Sequence, residues 1–210
     1  MAQPDTKDTI LDAAETLFAE QGFEATSLRQ LTQRAGVNLA AVNYHFGTKE
    51  SLVKAVLSRR IEPINEERVW RLDALRSPTL EDVVRAFLEP ALQAIGRDGG
   101  GVARIFGRVT AEQPPFLREF FASQWGALAR RFVAALQAAA PGVDAHAAWL
   151  RMHFTVGAMA HTLQNAHMLA EISGGDCRVD DDAAVLEQLV AYAVGGFGAP
   201  LSNAVEEPRS

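Results

Sequence analysis

A single cysteine, Cys177, serves a chain of 210 residues, so no internal disulfide can brace the fold. Long apolar runs are missing too: no stretch reaches the roughly 18 residues that a membrane-crossing helix needs. The first residues, Met1 to Asp8, are polar and lack the basic-then-apolar order of a secretory leader. The expectation is a cytoplasmic protein with no membrane partner. Strand-like alternation is scarce, and the helical period dominates throughout. No compact Ser/His/Asp group, paired carboxylate or glycine-rich phosphate loop occurs, which argues against an enzyme and against a bound cofactor. Tyrosines number only two, and one of them, Tyr44, falls in the most unusual run of the chain.

That run is "VNLAAVNYHFGTKESL", Val37 to Leu52. It is too polar for a core helix and too poorly charged for a solvated one. The charge around it is also uneven. The chain carries a net −6, yet between Ser27 and Arg60 six basic residues face Glu50 alone, a local +5 against −11 elsewhere. A basic segment in an acidic protein marks a local polyanion site.

The turn chemistry supplies the elements. Ile10, Ala14, Leu17 and Phe18 form one apolar stripe that ends at Gly22. Ser27 followed by Gln30 reads as a capping box opening a short helix, which Gly36 closes. Asn38 caps a third short helix stopping near Gly47, and Thr48 caps a longer fourth one in which Pro63 is an irregularity. Two short capped helices joined through Ala35-Gly36-Val37-Asn38 predict a helix-turn-helix over about 27–46. Val42 and Phe46 then point inward, leaving Leu39, Ala40 and Asn43 outward. Small residues let a helix enter a major groove, where Asn reads a base edge and Leu or Ala meets a thymine methyl. Ser27, Tyr44, His45 and Lys49 suit phosphate oxygens, and Arg29 can reach phosphate or a base. The alternative is a small three-helix packing unit with an exposed Tyr-His pair.

From Ile10 to Leu57 the chain resembles the DNA-binding domain of TetR-type transcriptional regulators. The likeness rests on Ala13-Ala14, Leu17-Phe18, Gly22-Phe23, Ser27, Ala35-Gly36-Val37 and Tyr44-His45-Phe46 with Lys49 and Leu52. Many members carry Ser where this chain has Asn38. "AGVNLAAVNYHFG" is similar to the fatty-acid-responsive, PsrA-like members of that family. The resemblance implies double-stranded operator DNA as partner, with phosphate contacts from Ser27, Tyr44, His45 and Lys49. Leu39, Ala40 and Asn43 would face bases. It also implies a homodimer formed through the last two long helices, and a small-molecule effector such as a fatty acid or acyl-CoA.

The expected architecture is all-α: a helix-turn-helix domain over 1–50, a ligand-binding and dimerisation domain over 51–201, and a disordered tail over 202–210. A connecting helix spans about 48–76. In the larger unit, helices are predicted from Thr79 to Ile95, from the Gly99–Gly101 run to about Glu112, and from Pro114-Pro115 to about Ala140. A further stretch opens at Asp144 and runs to about Ile172, and a last helix follows Asp180–Asp182. Gly157, Ala158 and Ala160 interleaved with Trp149, Met152 and Phe154 suit close helix contact, across a dimer or within a monomeric core. Arg104, Phe106, Arg108, Phe116, Phe120, Trp125 and Met152 are the candidate pocket: an arginine for a carboxylate or phosphate beside an aromatic cavity for a chain. His146, His153, His161 and His167 lie in one broad stripe, but neighbours some 9–12 Å apart cannot share an ion, and no metal is expected. Cys177 beside Asp176 is not set up for redox sensing. A ligand-responsive regulator, most simply a repressor, is the leading reading. Its rivals are a regulator of unrelated effector, a helical enzyme of lipid metabolism and an architectural DNA binder.

Overall fold

The computed structural model describes residues 5–97, 105, 107, 109 and 115–200. All of its elements there are helical: α1 (Thr6–Ala25), α2 (Leu28–Ala35), α3 (Leu39–Phe46), α4 (Lys49–Ala74), α5 (Leu80–Arg97), α6 (Phe116–Ala139), α7 (Ala145–Gln164), α8 (Ala166–Ile172) and α9 (Asp182–Gly198). Among the described residues, no helix is long and apolar enough to cross a membrane. The helix expected up to Glu112 is described only at Ile105, Gly107 and Val109, and the tail 202–210 lies outside the described residues.

Local chemistry fixes the small helices. Gly22, at φ +85°, kinks α1, and the Thr26 hydroxyl donates to its carbonyl at 2.7 Å. Ser27 and Gln30 close a reciprocal capping box: the Gln30 amide donates to Ser27 Oγ, and the Ser27 amide donates to Gln30 Oε1 at 2.8 Å. Gly36 ends α2 in the left-handed region at φ +65°. Asn38 Oδ1 then accepts from the Ala41 amide at 2.8 Å, and Thr48 Oγ1 from the Ser51 amide at 3.0 Å.

Two apolar cores result. The lower one joins α1, α2 and α3 to the first half of α4 through Ile10, Ala14, Phe18, Leu31, Val42, Leu52, Val56 and Ile61. The upper one packs α5, α6, α7 and α9 around Val83, Leu88, Leu92, Phe132, Leu136, Met152 and Val190, with Ile64, Val69 and Leu72 of α4 on its flank. Pro63 sits inside α4 without ending it, so one continuous helix serves both cores. The seam between the cores therefore lies near Pro63, beyond the division expected at residue 50. Ile105, Val109, Leu117 and Phe120, which belong to the larger unit by sequence, pack in the lower core.

One element departs from expectation. The stretch from Asp144 to Ile172 is two helices, because the chain breaks at Asn165, where φ is −119° and ψ 23°. The Asn165 side chain donates to the His161 carbonyl at 3.1 Å and so closes α7. His167 consequently lies on a different helix from His146, His153 and His161. Among the described residues no three His, Cys, Asp or Glu side chains gather as metal ligands. Cys177 is exposed.

Candidate DNA-reading surface and effector cavity

α3 buries one side chain completely. Val42 is inside, with Ala41 and Phe46 half-buried against the lower core. The opposite face presents Leu39, Ala40 and Asn43, all exposed, with Leu39 at 50% and the neighbouring Tyr44 at 85% exposure. A protruding tyrosine and a half-exposed leucine on an eight-residue helix contribute little to the packing of this chain. Ser27, Arg29 and Asn38 are exposed as well, and Arg29 makes no ion pair among the described residues. His45 is half-buried, its ring edge-on to Tyr44 at 5.1 Å.

Lys49 is held differently from its neighbours. Its ammonium donates to the Glu24 carbonyl at 3.3 Å and lies 4.3 Å from the centroid of the Phe23 ring. The basic segment is also less positive in space than in sequence. Arg34 pairs with Glu20, Arg59 with Asp12, and Arg60 with Glu15, all three acids lying on α1.

Higher in the molecule is a cavity of about 310 Å³ between α4, α5, α6 and α7. Its walls are Phe87, Trp125, Leu128, Ala129, Trp149, Met152, Val156 and Met159, with Arg68 and His153 as the polar members. Of the candidate pocket residues, Trp125 and Met152 line this cavity. Phe116 and Phe120 are not on this wall: Phe120 is buried in the lower core, and the Phe116 ring meets Phe23 edge-on at 5.2 Å. Their spacing matched a pocket face, but the seam between the two cores claims them. Arg104, Phe106 and Arg108 lie outside the described residues.

The profile of the tetR family of bacterial regulatory proteins matches residues 10–56. That of the tetracyclin repressor-like C-terminal domain matches residues 85–196, more than half of the chain. The chain belongs to the TetR family. It is thus a member of a family of regulators and not an enzyme.

Relatives and solved structures agree with this TetR assignment. The transcriptional regulator SrpR of Pseudomonas putida is 35% identical over 88 residues, covering 35% of this chain and 41% of SrpR. The transcriptional repressor Rv3405c of Mycobacterium tuberculosis is 56% identical over 48 residues, 23% of this chain and 26% of the repressor. Both matches leave more than half of the relative's own length uncovered. The fatty acid degradation regulator FadR from Bacillus halodurans superposes with a TM-score of 0.72 at 14% identity, covering 93% of this chain and 98% of that one. FadR from Bacillus subtilis, solved with stearoyl-CoA, gives 0.71 at 15% identity, covering 90% and 98%. At such identities the likeness is one of fold.

Within this TetR fold, sequence reasoning missed Arg68, Phe87, Trp149 and His153 as cavity residues. One signal was available for the first. Ile61, Ile64, Arg68 and Leu72 fall on one side of α4 at steps of three and four, and an arginine within an apolar stripe is out of place there. The structure buries it at 5% exposure.

Proposed function

We propose that the chain is a dimeric DNA-binding transcriptional repressor, released from its operator by a small apolar effector of the fatty acid or acyl-CoA class. The outer face of α3 carries the reading: Leu39, Ala40 and Asn43 are exposed together on a helix that begins at a capped N-terminus and is anchored from behind by Val42. Those three side chains take the base edges, with Asn38 beside them at the cap. Ser27, Arg29, Tyr44, His45 and Lys49 take the phosphates on either side.

Dimerisation uses α7 and α9. Leu150, Phe154 and Gly157 form an exposed stripe on α7, and Tyr192 and Gly195 form one on α9. Phe154 is 56% and Tyr192 64% exposed, and a Cβ added at Gly157 or Gly195 would meet nothing within 4 Å in the single chain. Large apolar groups beside open small positions suit a second copy packed closely against them. The acyl class of effector is supported by the fold likeness to FadR, one structure of which was solved with stearoyl-CoA. It is supported also by the apolar character of the cavity walls.

Selection of duplexes from a random library, followed by fluorescence anisotropy on the recovered site, tests the reading. A repressor of this kind prefers the recovered site over scrambled duplex by a factor on the order of 10³ or more. Equal affinity for both would refute sequence reading by α3.

A further inference from the structure

Arg68 is a buried cation facing an apolar cavity, and its hydrogen bonds do not account for it. Its Nε donates to the Phe87 carbonyl at 2.8 Å, and Nη1 donates to Asn65 Oδ1 at 3.2 Å. The guanidinium lies 4.0 Å from the centroid of the Phe87 ring. Yet a guanidinium has five N–H donors, and these bonds occupy two. The remaining N–H groups, both on Nη2 and one on Nη1, have no acceptor among the described residues.

No carboxylate compensates the charge. Arg68 makes no ion pair among the described residues, and neither Asp nor Glu is among the cavity-lining residues. Nearby Arg71 is served by both Glu67 and Glu89, so acids are available on these helices but are directed elsewhere. Burial alone pushes the Arg68 guanidinium down to about 9, and it remains cationic at neutral pH. A buried charge without a counter-charge is costly to hold, and a bound anion would remove much of that cost. Trp125 of the same wall has a buried Nε1–H with no hydrogen-bond partner, but that atom is shielded from the cavity, so Arg68 is the donor the ligand meets.

We propose that Arg68 is the anion anchor of the cavity, and that it receives the carboxylate of a free monocarboxylic acid with a compact apolar body. Planar guanidinium and carboxylate pair through two parallel hydrogen bonds, and three donors are available for that contact. Phe87, Trp125, Trp149 and Met152 then enclose the body of the ligand. The cavity, at about 310 Å³, is at the small end of the roughly 300–1,000 Å³ that hold drug-sized ligands. Its walls carry one arginine and one histidine, too few cations for the several phosphate charges of a coenzyme A thioester. The inference rests on the regulator reading for its consequence at DNA and narrows the effector to the free acid.

Calorimetric titration of the full chain without DNA tests the anchor directly. The probes are two matched pairs, 2-naphthoate with 2-naphthamide and decanoate with decanamide, together with stearoyl-CoA. The wild-type chain is expected to bind at least one acid about ten- to a hundredfold more tightly than its amide, the range for a hydrogen bond to a charged group. Arg68→Met abolishes that preference while still binding the amide. Should Arg68→Met not fold, Arg68→Lys takes its place: it keeps the preference for acid but loses acid affinity about tenfold, because the fork is gone. Equal binding of acids and amides, tighter binding of stearoyl-CoA than of either acid, no binding of either acid, or a preference surviving in folded Arg68→Met would each overturn the proposal. Acid binding that follows Arg68 but leaves operator affinity unchanged upholds the anchor and overturns only the regulatory reading.

Discussion

Tyr44 and Asn43 sit side by side on α3, yet their expected roles differ, and the difference can be measured. Tyr44 is 85% exposed and Asn43 is exposed, so neither contributes much to the packing of the free protein. Tyr44→Phe is expected to leave the melting temperature unchanged and to weaken binding to all duplexes alike, by about 0.5–1.5 kcal/mol for one lost phosphate bond. Asn43→Ala, which on the proposed reading removes a base contact, is expected to cost about 1–3 kcal/mol on the selected site, with little effect on scrambled DNA. Anisotropy on both duplexes, beside a thermal melt, separates the two; a Tyr44→Phe loss confined to one base position would exchange their roles. Lys49 belongs to a third class. Its amine is tied to the Glu24 carbonyl and the Phe23 ring, so Lys49→Ala should lower the melting temperature as well as the DNA affinity. The tie to Glu24 and Phe23 was not legible in the sequence, where only the charge of Lys49 and its distance from Tyr44 could be read. Exposure of Leu39, Ala40 and Asn43 was legible, because it follows from the helical period once Val42 is placed inward.

Elements with local signals were the most legible. Ser27 with Gln30, Asn38, Gly36 and Thr48 mark the ends of the small helices through contacts within three or four residues, which a sequence carries on its face. Asn165 was not read as a break, since Asn within an apolar helical pattern is common and only its bond to the His161 carbonyl shows its role. The cavity was illegible for a different reason: its walls come from four helices, and Phe116 and Phe120 have the same spacing whether they face a ligand or another core. Two glycines give a test at this scale. Gly36, at φ +65° and ψ 28°, occupies the ordinary left-handed region, whereas Gly47, at φ +72° and ψ −61°, lies where side chains are far less tolerated. Neither position has a neighbour within 4 Å of an added Cβ, so the backbone alone decides. Gly36→Ala should cost about 1–2 kcal/mol and Gly47→Ala more, read from denaturant midpoints. Further along, Arg85 of α5 donates to both carboxylate oxygens of Glu187 on α9, at 2.6 and 2.9 Å. Those hydrogen bonds hold the Glu187 carboxyl below the usual range. A lowered folded value stabilises the fold above the unfolded value and loses that contribution as pH falls through it. Glu187→Gln should therefore melt slightly below wild type at neutral pH, with the gap closing in acid; a gap independent of pH would mean the charge is irrelevant to this tie.

At the scale of the whole molecule, α4 is the part common to the proposed DNA-reading surface and the proposed effector cavity. Its first half builds the reader's core through Leu52, Val56 and Ile61, and its second half brings Arg68 to the cavity. On the proposed reading, a ligand held by Arg68 acts on the same helix that packs behind α3. For two readers of a dimer to enter successive major grooves, they must sit about 34–36 Å apart or at a multiple of that distance. A ligand shifts that separation only if it binds one arrangement more tightly than the other. Rigid coupling between the halves also needs a second connection, because one helix can pivot. The packing of α6 into the lower core provides it: Phe116 meets the Phe23 ring edge-on at 5.2 Å, and Phe120 is buried among the reader's apolar residues. Phe116, half-buried and not among the residues that line the cavity, is the place to cut. In the wild-type chain, saturating decanoate is expected to weaken operator binding by about 1–3 kcal/mol, with operator weakening decanoate binding by the same factor. Phe116→Ala should leave the calorimetric affinity for decanoate near wild type while bringing the shift in operator affinity toward zero. Anisotropy titrations with and without decanoate, run on both proteins, give the four affinities required. Loss of decanoate binding itself in Phe116→Ala would place Phe116 at the ligand after all, and an undiminished shift would leave α4 as a sufficient lever without the α6 seam.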